Sequence, residues 1–90
     1  MKIEFDPAKR DATMEERGLD FADVAQVIIG MTVTNEDGRY DYGELRFQTY
    51  GLLNDRVVMF AWTPIDGGLR VISMRKCNDK EQASFAARMG

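Results

Sequence analysis

The cationic segment 69–81, LRVISMRKCNDKE, is the part of this chain best suited to chemistry on an anion. Its alternating pattern over 69–76 predicts a β-strand, in which successive side chains point to opposite faces. Regular alternation would place four residues on one face, Leu69, Val71, Ser73 and Arg75, and four on the other, Arg70, Ile72, Met74 and Lys76. The planar fork of an arginine matches two phosphate oxygens, and a neighbouring hydroxyl adds a donor. The pattern therefore predicts an anion site on this strand.

Length and charge describe one small domain over residues 1–90 with an uneven distribution of charge. The net charge is −3, and the hydrophobic and charged fractions, 44% and 30%, are typical of a folded protein. Residues 1–43 hold five cations against ten acids, whereas residues 44–90 hold seven cations against five acids. A basic second half is consistent with a local anion site on an acidic body, although from the asymmetry alone ordinary solvated surface charge is the favoured explanation.

Composition also indicates where the chain works and what it does not bind. Cys77 is the only cysteine, so no intrachain disulfide forms, which is consistent with a reducing cytoplasm. No apolar run reaches the length of a membrane helix and the N-terminus is no signal peptide, so we expect a cytoplasmic location without membrane contact. There is no histidine, and the acids lack ligand spacing, so neither a metal site nor a cofactor is predicted.

The order of predicted elements indicates an α+β fold. Asp6-Pro7 and Gly18 bound a helix over 7–17, Asp20 and Gly30 bound a second, and Asn78 with Glu81 forms a capping box for the last. Strands are predicted at 3–5, 31–36, 44–53, 56–64 and 69–76, with turns at 37–38, 54–55 and 65–68. We expect N-terminal helices, a four-stranded antiparallel twisted sheet (a meander) and a C-terminal helix. The strand 56–64 is apolar on both faces and should be central.

Helical spacing predicts which helix residues face the core. The second helix should bury Phe21, Val24, Ala25 and Ile28, and the last helix Gln82, Phe85, Ala86 and Met89. The N-terminal helices should cover one face of the sheet, which leaves part of the other face for function or a partner. Phe60 and Trp62 are expected in the core, whereas Tyr40, Tyr42 and Tyr50 are less buried by pattern and suited to stacking on a base or to a partner interface.

Several segments in unbroken order resemble one family. They are EFDPAK at 4–9, the helix-Gly-x-x-Phe step at 17–21, YGELRF at 42–47, GLL at 51–53, the apolar strand ending in Thr63, and RVISMRK at 70–76 followed by Glu81. Together they resemble the BrnT family, the toxin half of bacterial type II toxin–antitoxin pairs. The resemblance implies a small ribonuclease with a RelE-like fold. It also implies neutralisation by a cognate BrnA-like antitoxin, through which alone the complex would contact operator DNA.

Candidate site residues for cleavage of an RNA substrate follow from the resemblance and the strand pattern. The catalytic candidates are Arg46, Ser73, Arg75 and Lys76, and the RNA-binding candidates are Arg70, Thr63 and Tyr50. The arginines suit electrostatic stabilisation of the phosphate. Arg70 and Arg75 share a site only if a bulge or strand end re-aims one of them. We favour Arg75 with Ser73, together with Arg46 from the neighbouring hairpin strand, although Arg46 could instead pair with Glu44 or Asp41.

One departure from the family concerns the proton acceptor. Family members commonly carry Lys-His-Gly where this chain has Glu16-Arg17-Gly18. A histidine base is therefore excluded, and the base is left as Glu, Tyr or a Lys with a lowered pKa. The alternative function is a non-catalytic, toxin-like protein that mainly engages its antitoxin.

Overall fold

The predicted α+β fold is confirmed by the computed structural model, which describes residues 1–39 and 41–90. The described residues form β1 (Lys2–Glu4), α1 (Pro7–Arg17), a 3₁₀ turn (Phe21–Asp23), α2 (Val24–Ile29), β2 (Thr32–Glu36), β3 (Phe47–Leu53), β4 (Arg56–Ile65), β5 (Gly68–Lys76) and α3 (Asp79–Met89). The strand order in the sheet is β1-β5-β4-β3-β2. The apolar strand β4 is central, as its sequence predicts. No helix in the described part of the chain is long and apolar enough to span a membrane.

The sheet has five strands over the described residues, not the four antiparallel strands expected. β1 pairs in parallel with β5, with Lys2 opposite Gly68 and Glu4 opposite Arg70, whereas the other pairings are antiparallel. A side chain on Gly68 would overlap the backbone of Lys2, so this glycine allows β1 to approach. The N-terminal strand was predicted, but its partner lies far away in sequence and no local pattern indicates it.

Local capping chemistry fixes the helix ends where the sequence predicts them. Asp6 Oδ1 accepts a hydrogen bond from the backbone N–H of Ala8 at 2.9 Å, Pro7 occupies the first helical position, and Gly18 ends α1 with a left-handed φ of 68°. At α3, the Asn78 side chain accepts from the Glu81 N–H, and the Glu81 side chain accepts from the Asn78 N–H.

One face of the sheet, here called the α2 face, holds the larger core. The segment from Leu19 to Val27 packs there on side chains from three strands: Leu53, Val58, Phe60, Leu69, Val71 and Met74. The buried residues of this segment include Phe21, Val24 and Val27, while the predicted Ala25 is exposed. Ile28, also predicted, is partly buried against this core, whereas Val27 takes the inward place predicted for Ala25. The 3₁₀ turn, with three residues per turn, covers only Phe21–Asp23 and shifts the start of the α2 stripe.

The opposite face, here called the α3 face, holds a smaller core of Val57, Met59, Cys77 and Phe85. Phe85 is the buried residue of α3, and the predicted Gln82 and Met89 are half-buried, but Ala86 is exposed. The inward stripe of α3 is therefore narrower than predicted, because the helix rests on the sheet mainly through Phe85.

A β-bulge in β5 corrects the predicted facing of its residues. Trp62 pairs with Val71 while Ala61 pairs with Ser73, so Ile72 is the extra residue. Leu69, Val71 and Met74 consequently share the α2 face core, whereas regular alternation would separate Met74 from the other two.

The connection between β2 and β3 is longer than the tight turn predicted at 37–38. β3 starts at Phe47 instead of residue 44, because the described residues 37–39 and 41–46 lie in a loop closed by the Asp37 N–H, which donates to the Arg46 carbonyl at 2.8 Å. The Asp37 carboxylate, buried in this loop, binds Arg39 and the Tyr42 hydroxyl instead of supporting a hairpin turn. The prediction for Tyr40 lies outside the described residues. The turn at Asn54 and Asp55 is confirmed, with φ values of 49° and 66°.

Candidate active site on the α3 face

The bulge brings three of the candidate residues to one face of the sheet. Arg70 lies opposite Thr63, Ser73 opposite Ala61, and Arg75 opposite Met59. Residues 59, 61 and 63 alternate onto the α3 face of β4, so their partners on β5 face the same way. Arg70 and Arg75 therefore share a face, because the bulge at Ile72 supplies the break in alternation that the sequence requires for this.

Arg75 is held in place by the first turn of α3. Its Nη1 and Nη2 donate to Glu81 Oε1 and Oε2, both at 2.7 Å, in a two-point ion pair in which the side chains of Arg75 and Glu81 are 36% and 22% exposed. The arginine and the Asn78 N–H hold the pKa of Glu81 at about 2, so this carboxyl is ionised at neutral pH. Nη1 also donates to the Lys76 carbonyl at 3.5 Å. The other N–H groups of Arg75 remain able to donate to a second anion, while Glu81 fixes the direction of the guanidinium.

Tyr50 lies opposite Met59, two strands away from Arg75 on the same face. Burial raises the pKa of its hydroxyl above the ordinary value, and the charge of Glu81 raises it further. Tyr50 is therefore a protonated phenol at neutral pH, able to donate a proton or a hydrogen bond.

A cleft of about 140 Å³ opens beside this pair, between α3 and β2. Its lining comprises Val33, Asn35, Tyr50, Glu81, Ser84, Phe85 and Arg88. Sequence reasoning missed Asn35, Ser84 and Arg88 as site residues. Helical spacing could have identified two of them. Ser84 and Arg88 follow the capping-box residue Glu81 at i+3 and i+7, which places all three on one side of α3.

Three other candidates form a row at the far end of the α3 face. Thr63 lies opposite Arg70, and extending the β3–β4 register by one residue puts Arg46 opposite Thr63. Thr63 Oγ1 donates to the Leu45 carbonyl at 2.7 Å, which ties the row to the loop before β3. Four residues of β4 separate this row from Met59, opposite Arg75, a distance of roughly 13 Å along the strand. The structure thus places Arg46 nearer to Arg70 than to Arg75.

The arginines of this row carry acidic neighbours. Arg46 Nε lies 3.1 Å from Glu44 Oε2, which is the pairing that the sequence left open, and its guanidinium carbon lies 4.0 Å from the centre of the Tyr42 ring. Arg70 is paired with Glu4 of β1, and this contact lowers the pKa of Glu4.

Lys76 is not brought together with Arg75. It lies opposite Val58, whose side chain is in the α2 face core, so adjacent residues of β5 point to opposite sides. Its side chain is exposed at the end of the strand.

Arg17 stands where the resemblance implies a histidine. Its Nη1 donates to the Met74 carbonyl at 2.8 Å, which ties the end of α1 to β5. Arg17 lines a surface hollow of about 260 Å³ together with Lys9, Thr13, Ile72 and Ser73, among others. Ser73 is thus among the residues that line this hollow, although its register places it on the α3 face.

The remaining expectations concern core residues and ligands. Phe60 is buried, and Trp62 is half-buried, with its Nε1 donating to Thr49 Oγ1 at 2.8 Å. Burial raises the pKa of Cys77, which keeps it a thiol. Among the described residues, no group of three or more His, Cys, Asp or Glu side chains is placed to hold a metal ion.

The fold and this face define a class of protein. An α+β domain with N-terminal helices, a mostly antiparallel sheet and a C-terminal helix is compatible with the RelE-like fold. A family model described as the ribonuclease toxin BrnT of type II toxin–antitoxin systems matches residues 5–81, and the chain belongs to that family. Membership implies a cognate antitoxin as partner. A comparison with curated protein sequences finds no match.

Proposed function

We propose that this chain is a metal-independent endoribonuclease toxin, which inhibits translation by cleaving RNA in the cytoplasm and is neutralised by a cognate BrnA-like antitoxin. The observation that carries the proposal is the bulge in β5, which turns Arg70, Ser73 and Arg75 toward the α3 face, the face that also carries Tyr50. Family membership supports the ribonuclease class.

The reaction is an attack of the RNA 2′-oxygen on the adjacent phosphorus. The P–O5′ bond breaks as the new P–O2′ bond forms, and the products are a 2′,3′-cyclic phosphate and a 5′-hydroxyl. Negative charge builds up on the non-bridging oxygens, where the N–H groups of Arg75 not used by Glu81 donate. A positioned donor of this kind contributes roughly 100- to 1000-fold in rate.

Tyr50 supplies the proton for the leaving 5′-oxygen, since its raised pKa keeps the phenol protonated. Glu81 is a weak base at a pKa of about 2 and acts instead as a positioning residue for Arg75. Of the bases that the sequence leaves open, the proposal assigns none, and the 2′-hydroxyl proton passes to solvent.

The RNA backbone runs along the open part of the α3 face. Ser73 donates to the phosphate beside Arg75, and the row of Arg46, Thr63 and Arg70 binds a phosphate further along the strand. Lys76, exposed on the other side of β5, adds positive potential without touching the reacting phosphate.

Cleavage of a labelled RNA by the purified, antitoxin-free chain in the presence of EDTA tests the proposal. We expect fragments with 2′,3′-cyclic phosphate and 5′-hydroxyl ends, and growth arrest in bacteria that co-expression of the antitoxin relieves. Cleavage only after magnesium is restored would contradict the metal-independent mechanism. A folded chain that binds antitoxin but cuts no RNA would favour the non-catalytic binding protein.

A further inference from the structure

We infer that the cleft between α3 and β2 is a nucleobase subsite that selects which base of the RNA precedes the cleaved bond. This inference rests on the proposed function. It assigns base selection to Asn35 and a phosphate contact to Arg88, residues that neither the strand pattern nor the family resemblance singles out.

The apolar walls of the cleft suit the faces of a base. Tyr50 and Val33 lie opposite each other in the β2–β3 register, and both pack with Phe85 of α3 on the smaller core. The cleft of about 140 Å³ is of a size to take one planar base. Aromatic walls bind any base by stacking, so they give affinity without selection.

Selection comes from the polar rim. Asn35 of β2 lies opposite Gln48 of β3, which brings two amide side chains side by side on the α3 face. In the part of the chain that the structure describes, neither amide makes a side-chain hydrogen bond, and neither does Ser84. An amide presents a donor and an acceptor together, the pattern that reads a base edge through two hydrogen bonds.

The position of the cleft links base binding to the reacting phosphate. Tyr50 and Glu81 both line the cleft, and Glu81 holds Arg75 through two hydrogen bonds of 2.7 Å. A base seated here therefore carries its own 3′-phosphate toward Arg75 and Tyr50. Arg88 lies on α3 at the outer rim of the cleft, where the phosphate on the 5′ side of the bound nucleotide would pass. Its side chain is exposed and makes no ion pair among the described residues.

The first test measures the binding of each of the four nucleoside 5′-monophosphates to the wild-type chain. The readout is the change in backbone amide NMR shifts. We expect one nucleotide to shift the signals of Asn35, Tyr50 and Ser84 more than the other three do, while inorganic phosphate alone leaves Asn35 unshifted. Asn35→Leu, which keeps the size but removes the amide, should weaken that binding at least tenfold. Shifts located away from the cleft would overturn the inference.

The second test is base preference at the cleaved bond, read by sequencing the fragment ends from a mixed RNA. Asn35→Asp should change the preferred base, because it replaces the amide donor with an acceptor, whereas Asn54→Asp in the exposed β3–β4 turn should not. Wild-type cleavage with an unchanged preference in Asn35→Asp would overturn the subsite and leave the proposed function standing. An absence of wild-type cleavage, with nucleotide shifts still at the cleft, would overturn the ribonuclease proposal and support the base site.

Discussion

At the scale of single residues, Arg75 and Glu81 show how one contact serves both fold and chemistry. Glu81 caps α3 and also orients the guanidinium that faces the proposed phosphate site. The sequence indicated both parts, since Asn78-x-x-Glu81 is a capping box and Arg75 lies near the end of the cationic strand. Their direct pairing depends on how α3 folds back onto β5, which no local pattern specifies.

The dependence of cleavage rate on pH is a prediction at this scale. No histidine is present, and the pKa values of Tyr50 and Cys77 are raised above their ordinary values. We therefore expect the rate to rise steadily from about pH 6 to 9, without the inflection that an imidazole base produces near its ordinary pKa of about 6.5. An inflection between about pH 6 and 7 in single-turnover measurements would show that another group takes the 2′-proton.

At the scale of elements, α2 rests directly on β3, and Gly51 makes this contact possible. A methyl group at Gly51 would lie 2.6 Å from Val27 Cγ1 and 3.2 Å from Thr32 Cγ2. Val27 is fully buried and branched at Cβ, so it has no free rotamer in which to escape.

We predict that Gly51→Ala lowers the free energy of unfolding by about 1–3 kcal/mol, the usual cost of overpacking a core. Urea unfolding measures the effect, with Gly38→Ala as a control, since a methyl there meets no atom within 4 Å. In a Val27→Ala background the effect of Gly51→Ala should shrink, because the clashing methyl is gone. If the losses of stability in Gly51→Ala and Val27→Ala simply add in the double variant, Val27 of α2 does not pack on Gly51.

Elements defined by local chemistry are those that the sequence predicts well. Helix α1 follows from Asp6, Pro7 and Gly18, and the central position of β4 follows from its two apolar faces. Three features cannot be predicted from local sequence: the parallel pairing of β1, the bulge at Ile72 and the loop between β2 and β3. Each depends on a partner strand or on side-chain bonds inside the loop. The cleft at α3 was missed for the same reason, because Asn35 and Arg88 come to line one cleft only after α3 has packed on the sheet.

At the scale of the whole molecule, three carboxyls link stability to pH. Arg75, Arg10 and Arg39 hold the pKa values of Glu81, Asp20 and Asp37, respectively, at about 2. Each pKa is depressed in the folded state, so the stabilisation is fully present above the ordinary values of 4.5 and 3.8 and is lost as the pH falls through about 2.

The free energy of unfolding should therefore depend less steeply on pH in the Glu81→Gln variant than in the wild type. We expect the free energy of unfolding of the wild type to fall between about pH 5 and pH 2, and the slope to be shallower in Glu81→Gln. Asp66→Asn, at an exposed turn position, is the control and should follow the wild type. Identical slopes for wild type and Glu81→Gln would show that the Arg75 pair does not contribute to stability in solution.

The distribution of charge over the molecule supports the division of roles. The proposed RNA path runs from Arg46 and Arg70 at one end of the α3 face to Arg75 at the other, each beside a carboxylate partner, while acidic residues predominate in residues 1–43. Under the proposed function, we expect a basic segment of the antitoxin to bind the acidic first half, so that antitoxin binding and RNA cleavage use different residues.

The central claim is that Arg75 stabilises the transition state, and a matched pair of variants tests it most directly. Arg10 makes an ion pair of the same form with Asp20, with two contacts of 2.8 Å, close to Phe5 and away from the cleft. In single-turnover RNA cleavage with EDTA, Arg75→Ala should be roughly 100- to 1000-fold slower than wild type, and Arg10→Ala should cleave within a few-fold of it. Equal losses in both variants, or an Arg75→Ala variant as fast as the wild type, would contradict the account.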